Sequence, residues 1–178
     1  MLPNRQSKRL KEYDYSNEGY YYVTICSKNR QNIFSAVGAP LDCALENGKI
    51  QLSPIGQIIE KQWLEIPSQY TNVELDEYVI MPNHIHGLLI INRSEQLIRA
   101  QSSGAPTTLG QIIRSFKSRC ANDYLRYIQS NNLNVSPKIW QRNYYDHIIR
   151  NETSLNQIRK YIENNPSTWD EDENNLTS

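Results

Sequence analysis

No stretch of this chain is apolar enough to cross a membrane. A span needs about 18 apolar residues in a row, and a run such as Leu88 to Ile91 falls far short. The opening MLPNRQSKRL lacks the apolar centre of a secretory signal. Cysteine is scarce as well. Cys26, Cys43 and Cys120 are an odd, scattered set without C-x-x-C spacing, which argues against a disulfide framework and a zinc ribbon and for a reducing cytoplasm. A Walker A phosphate loop is missing. At 178 residues the chain is short of the roughly 250 that a (β/α)₈ barrel takes, and it suits one domain with a core of its own.

Net charge is also absent, with 19 basic against 19 acidic residues. The balance is uneven along the chain. Glu163, Asp170, Glu171, Asp172 and Glu173 are followed or accompanied by no base, so the part before Glu163 holds 19 bases against 14 acids, a net of +5. The sequence therefore divides into a basic arm over 1–18, one domain over 19–168 and an acidic tail over 169–178. A mildly basic body is compatible with nucleic acid, and equally with an ordinary solvated surface.

The periodicities give an order of elements. Tyr20 to Ile25 is rich in β-formers and reads as a strand, and Lys49 to Leu52 as a short one. Ser53 and Pro54 start a helix whose apolar positions, Ile55, Ile58, Ile59, Trp63 and Ile66, recur at helical spacing until Pro67. Val73 to Met81 and Ile85 to Asn92 are two strands joined by a tight turn at Pro82 and Asn83. The second is apolar on both faces, as a central strand is. After a polar loop over 93–108, Thr108 and Gln111 form a capping box for a long helix. Lys138 to Ile149 reads as a strand or extended segment, and a last helix runs from about Ser154 to about Asn165. The order β-α-β-β-α-β-α predicts an α+β fold: a ferredoxin-like antiparallel sheet with packed helices and one additional helix at its carboxyl end.

Only three histidines are present, and two stand in His84-Ile85-His86. Residues two apart on a strand share a face, so both imidazoles can reach one ion. On the last helix Tyr161 and Asn165 are four apart and lie one above the other. Singly, each has a plainer reading: polar groups at a turn, a packed tyrosine, a helix end. The long helix carries Arg114, Lys117, Arg119 and Arg126 away from its apolar side, either as a solvated face or as one that follows a phosphate backbone.

Together these segments resemble a family. MPNHIHGLL at 81–89 looks like the HUH motif of single-tyrosine transposases. WQRNYYDHIIR at 140–150 and YIENNP at 161–166 are similar to the blocks that precede and carry the nucleophile in REP-associated tyrosine transposases. The amino-terminal RLKEYDY and YYVTI resemble that family's opening. The resemblance implies His84, His86 and Asn165 as ligands of Mg²⁺ or Mn²⁺ and Tyr161 as the nucleophile. It implies cleavage and rejoining of single-stranded DNA beside hairpins through a 5′-phosphotyrosine, which needs no ATP. Arg5, Arg9, Arg114, Lys117, Arg119, Arg142 and Arg150 are the candidate DNA contacts, with Asp146 and His147 in support. The expected partners are single-stranded DNA and DNA hairpins, with no membrane, and the protein acts as a monomer or homodimer. A hairpin-binding descendant that no longer cuts, and a phosphoesterase in which water attacks, are the competing expectations.

Overall fold

The computed structural model describes residues 13–35, 45–46, 49–92 and 107–175. Its elements are β1 (Gly19–Cys26), β2 (Leu45–Glu46), β3 (Lys49–Ile50), α1 (Pro54–Leu64), α2 (Ile66–Gln69), β4 (Val73–Ile80), β5 (His84–Ile91), α3 (Leu109–Ser130), β6 (Tyr145–Ile149) and α4 (Glu152–Asn164). A 3₁₀ segment, Asn165–Glu171, continues from α4. The main sheet has the order β4-β5-β1-β6 with every pair antiparallel. That is the ferredoxin-like arrangement, as the order of elements predicts.

Strand alternation divides the sheet into two faces. Tyr21, Val23 and Ile25 of β1 pair across with Leu89, Gly87 and Ile85 of β5, and this face joins Trp63 of α1 and Phe116 of α3 in the principal core. The opposite face carries Tyr22, Thr24, His84, His86 and Leu88. There Tyr22, Leu88 and Ile149 pack with Leu155 and Ile162 of α4 in a second, smaller cluster. Helix α4 thus has a face of the sheet that α1 and α3 leave to it. The arrangement covers β5 on both sides, which explains its unbroken apolar run.

The local signals place most boundaries. Ser53 Oγ accepts from Gly56 N at 3.1 Å, and Thr108 with Gln111 closes a capping box. Pro67 does not end the helical run: it sits in the first turn of the short α2, where a missing N–H costs nothing. The cap of α4 is Asn151, whose Oδ1 accepts from Ser154 N at 2.8 Å, so the helix starts before Ser154. Of the segment from Lys138 to Ile149, only Tyr145–Ile149 is strand, with an isolated bridge between Trp140 and Ser27. Pro166 lies in the first turn of the 3₁₀ segment rather than ending the helical path. Beyond it, Trp169, Asp172 and Asn175 are buried, so this stretch packs on the domain. Arg5, Arg9 and the loop over 93–106 lie outside the described residues.

Candidate metal centre and nucleophile

His84 and His86 open β5 and project from one face, as two-residue spacing on a strand demands. Both rings are almost fully buried. Their Nε2 atoms face each other at 2.9 Å. The tautomer of His84 follows from its neighbour. Asn83 Nδ2 donates to the carbonyls of Asn174 (2.8 Å) and Arg30 (3.2 Å), which fixes the orientation of that amide. Asn83 Oδ1 therefore accepts from His84 Nδ1–H at 2.8 Å, leaving a lone pair on Nε2 aimed into the site. His86 Nδ1 lies 2.6 Å from the Tyr22 hydroxyl and 2.9 Å from that of Thr24. Hydroxyls accept as readily as they donate, so His86 can also present a bare Nε2.

Burial lowers the pKa of both imidazoles; for His84 the neighbouring His86 adds to it, and for His86 the carboxylate of Asp172 opposes it without cancelling it. Both rings are thus held neutral, the form in which imidazole binds a cation.

Two further donors complete the group. Asp172 Oδ2 lies 3.8 Å from His84 Nε2 and 3.9 Å from His86 Nε2. Burial by itself would raise the pKa of this carboxyl. The adjacent His86, hydrogen bonds from the Asn174 backbone and Asn165, and the nearby His84 outweigh that and keep it well below the usual carboxylate range. Asn165, directly after α4 and almost wholly buried, donates from Nδ2 to Asp172 Oδ2 at 3.1 Å. Its Oδ1 has no hydrogen-bond partner. A buried amide oxygen without a partner costs about 1–3 kcal/mol unless something satisfies it, and a cation does so. The ligand atoms of His84, His86 and Asp172 lie within 4.8 Å of one another. Two neutral imidazoles, one carboxylate and one orphaned amide oxygen fit a divalent ion that accepts both nitrogen and oxygen.

Tyr161 stands on the last turns of α4, its hydroxyl 3.4 Å from His86 Nε2 and its ring edge-on to those of His86 and Tyr22. It is 46% exposed, so the phenol is open to solvent as well as to the imidazoles. Burial and then the charge of Asp172 raise its pKa, and it is neutral at neutral pH. Helix α4 is held in place by Arg159, which donates from Nε to both oxygens of Asp76 at 3.1 Å and from Nη2 to Oδ2 at 2.5 Å. Asp76 lies at the register shift between Leu75 and Tyr78 in β4.

Residues 51–165 match the family described as "Transposase IS200 like". This chain belongs to that family. An uncharacterised protein of Haemophilus influenzae is 38% identical over 182 residues, spanning 97% of this chain and 93% of its own. The fold is also similar to that of a REP-associated tyrosine transposase solved with a REP hairpin, at a TM-score of 0.56 and 16% identity over 92% of this chain and 74% of that one. Membership of that family supports a DNA-processing function.

In this IS200-like chain the predicted basic residues among the described ones do not form one surface. Arg114 and Arg142 are exposed beside a cleft of about 1110 Å³ that reaches Tyr161 and His86. Lys117 also borders the cleft, but its Nζ donates to the carbonyl of Gln141 at 2.6 Å and to those of Arg142 and Asn143 at 3.4 Å. Arg119 turns toward α1, donating to Gln62 (2.8 Å) and pairing with Glu65 (3.2 Å). Arg150 is exposed just beyond β6. Asp146 and His147 are neighbours on β6 and alternate in facing: Asp146 lines the cleft, while His147 stands exposed in register with Tyr22. Sequence reasoning missed Asp172 and gave Asn83 only the part of a turn residue. The signal available for Asp172 was Trp169, a large apolar side chain among the acids; it is buried with its ring centroid 5.9 Å from that of His84.

Proposed function

We propose that this protein is a divalent-metal-dependent endonuclease and strand transferase for single-stranded DNA, with Tyr161 as nucleophile. His84, His86 and Asn165 would hold Mg²⁺ or Mn²⁺, and Asp172 adds an anionic oxygen to that set. The observation that carries this reading is the meeting of the Tyr161 hydroxyl with His86 Nε2 at 3.4 Å, beside an orphaned Asn165 oxygen. When bound, the ion would polarise the scissile phosphate and stabilise the charge that develops on it. A phenol with a raised pKa is a poor nucleophile, so position supplies much of its reactivity. Its ring is held between His86 and Tyr22, and its helix is fixed by Arg159. The Tyr161 oxygen attacks phosphorus, the bond to the 3′ oxygen breaks, and the proton lost by the phenol is replaced on that oxygen. The products are a 5′-phosphotyrosine and a free 3′-OH. Reversal onto another 3′-OH rejoins the strand. Hairpins with adjoining single strands are the proposed partners, consistent with the REP hairpin held by the transposase of similar fold.

The test is incubation with DNA hairpins that carry single-stranded flanks, with Mn²⁺. A covalent adduct on a denaturing gel, lost in Tyr161→Phe, is the expected result. Cleavage that persists in Tyr161→Phe would instead assign the attack to water. One observation favours a hairpin-binding protein that does not cut: Asp172 places a carboxylate where the charge of a phosphate has to enter. For that reading the same gel shows shifted but intact DNA.

A further inference from the structure

We infer that the cleft beside Tyr161 is a subsite for one unpaired nucleotide next to the scissile phosphate, with its base stacked on Tyr145 and its backbone held by Arg114 and Arg142. The inference rests on the nuclease reading above and adds to it where the strand runs.

Three observations carry it. The first is place. The cleft opens onto Tyr22, His86 and Tyr161, so whatever enters it touches the reacting groups. Its volume of about 1110 Å³ exceeds the roughly 300–1000 Å³ of ordinary small-molecule pockets, enough for a nucleotide with room for the strand to leave. The second is charge. Arg30, Arg114, Lys117 and Arg142 border it against the acids Asp146 and Glu173. Arg114 and Arg142 are exposed and form no ion pair among the described residues. The third is an aromatic surface. Tyr145 is 46% exposed on an edge strand, a large amount for a ring that touches Tyr22 edge-on at 6.3 Å. Every base has a face that can stack on such a ring, whatever its sequence.

Lys117 has a different part from the other cations. Its ammonium is engaged by the carbonyls of residues 141 to 143, and Trp140 Nε1 donates back to the Lys117 carbonyl at 3.1 Å. It is a positioning residue that holds the wall on which Arg142 and Tyr145 are mounted. A nucleotide contact from Lys117 would need those bonds to break.

The experiment uses the full chain carrying Tyr161→Phe, so that DNA is bound without being cut, and fluorescence anisotropy with Mn²⁺. The probes are a DNA hairpin with and without short single-stranded extensions, and the extended hairpin with an abasic nucleotide at each extension position in turn. Tyr145→Ala, and Tyr145→Leu as a variant that keeps apolar strand packing, are expected to weaken binding of the extended hairpin by about 5- to 150-fold. The bare hairpin should be unaffected. One abasic position next to the scissile phosphate should reproduce that loss and make it insensitive to Tyr145. Arg114→Gln and Arg142→Gln should each reduce the salt slope for the extended probe by about 0.7. Equal losses for bare and extended hairpins, or none, overturn the subsite. An adduct formed by the wild-type chain together with a flat anisotropy cycle overturns the subsite and leaves the nuclease reading intact. A position-specific loss without any adduct keeps the stacking of an unpaired base on Tyr145 but overturns its place beside a scissile phosphate, together with the nuclease reading.

Discussion

Gly87, the residue after His86, tests whether the principal core fixes the geometry of the site. Its α-carbon faces α1, and a Cβ built there would lie 2.2 Å from Trp63 Cζ2, 2.7 Å from Cη2 and 3.1 Å from Cε2. Carbon atoms in contact sit about 3.5–4.0 Å apart, so the indole or strand β5 has to retreat by more than about 1 Å. Trp63 has no free space to retreat into: it is fully buried and meets Phe116 edge-on at 5.4 Å. Forcing one methyl into a packed core costs about 1–3 kcal/mol. For a domain of this size each kcal/mol lowers Tm by about 2–4 °C, which gives a drop of about 2–12 °C for Gly87→Ala in calorimetry. The strain should also reach the chemistry, since any shift of β5 moves His86 against Asp172. Mn²⁺ affinity by titration calorimetry should fall with Tm. The clashing atoms all belong to the six-membered ring of Trp63, so Trp63→Leu should make the glycine substitution far less costly, a coupling that a double-mutant cycle measures. A Tm within about 1 °C of the parent, or the same penalty in both backgrounds, refutes the reasoning.

Asn83→Ala removes the acceptor that sets the His84 tautomer and the donor that holds the Asn174 carbonyl; Mn²⁺ affinity is expected to fall by about 10- to 100-fold in titration calorimetry. Burial lowers the Lys117 pKa to about 8 from 10.5, so above pH 8 the unfolded chain binds more protons than the folded one. Unfolding free energy then gains from this residue as pH rises from about 8 to about 10, and the gain should vanish in Lys117→Met when denaturant melts at pH 7.5 and 9.5 are compared. Asp76→Asn should cost about 1 kcal/mol at neutral pH, the upper end for a partly exposed pair. Burial alone would raise the pKa of Asp76, but its bonds to Arg159 and the Glu77 backbone lower it overall. Its contribution is therefore present above about pH 4 and is lost on acidification, so the wild-type advantage in Tm should shrink below that pH.

What could be read from the sequence was local. The Ser53 and Thr108 caps, the H-x-H pair and the four-residue step from Tyr161 to Asn165 each depend on a few neighbouring side chains, and all four hold their expected geometry. Where two local signals compete, spacing does not choose between them. Asn151 and Ser154 are both good caps, and the end of β6 at Ile149 lets the helix begin at the first. The fate of Asp172 was less visible still. One of four consecutive charged residues becomes buried because Pro166 and Trp169 bend the chain back onto His84, whereas a run of acids ordinarily reads as solvated. The basic residues of α3 share one helix, yet Arg119 and Lys117 find partners in two other segments, Arg126 pairs with Asp123 within the helix, and Arg114 borders the cleft. Only tertiary structure sends Arg119 to Glu65, Lys117 to the 141–143 carbonyls and Arg114 to the cleft.

The residue between the two histidines links the fold to the chemistry. Ile85 is fully buried in the principal core and pairs with Ile25 on one side and Ile80 on the other. Because strand residues alternate, every contact that pulls Ile85, Gly87 and Leu89 toward α1 and α3 pushes His84, His86 and Leu88 toward α4. A slip of one residue would exchange the faces and bury the imidazoles against Trp63, so the apolar packing itself excludes that register. The tyrosine is positioned by the same means from the other side: Leu155 and Ile162 seat α4 on Tyr22 and Leu88, and Arg159 sets its position along β4. Phenol and imidazoles therefore meet without any strained backbone at either residue, since both rest on regular elements whose positions the two cores determine.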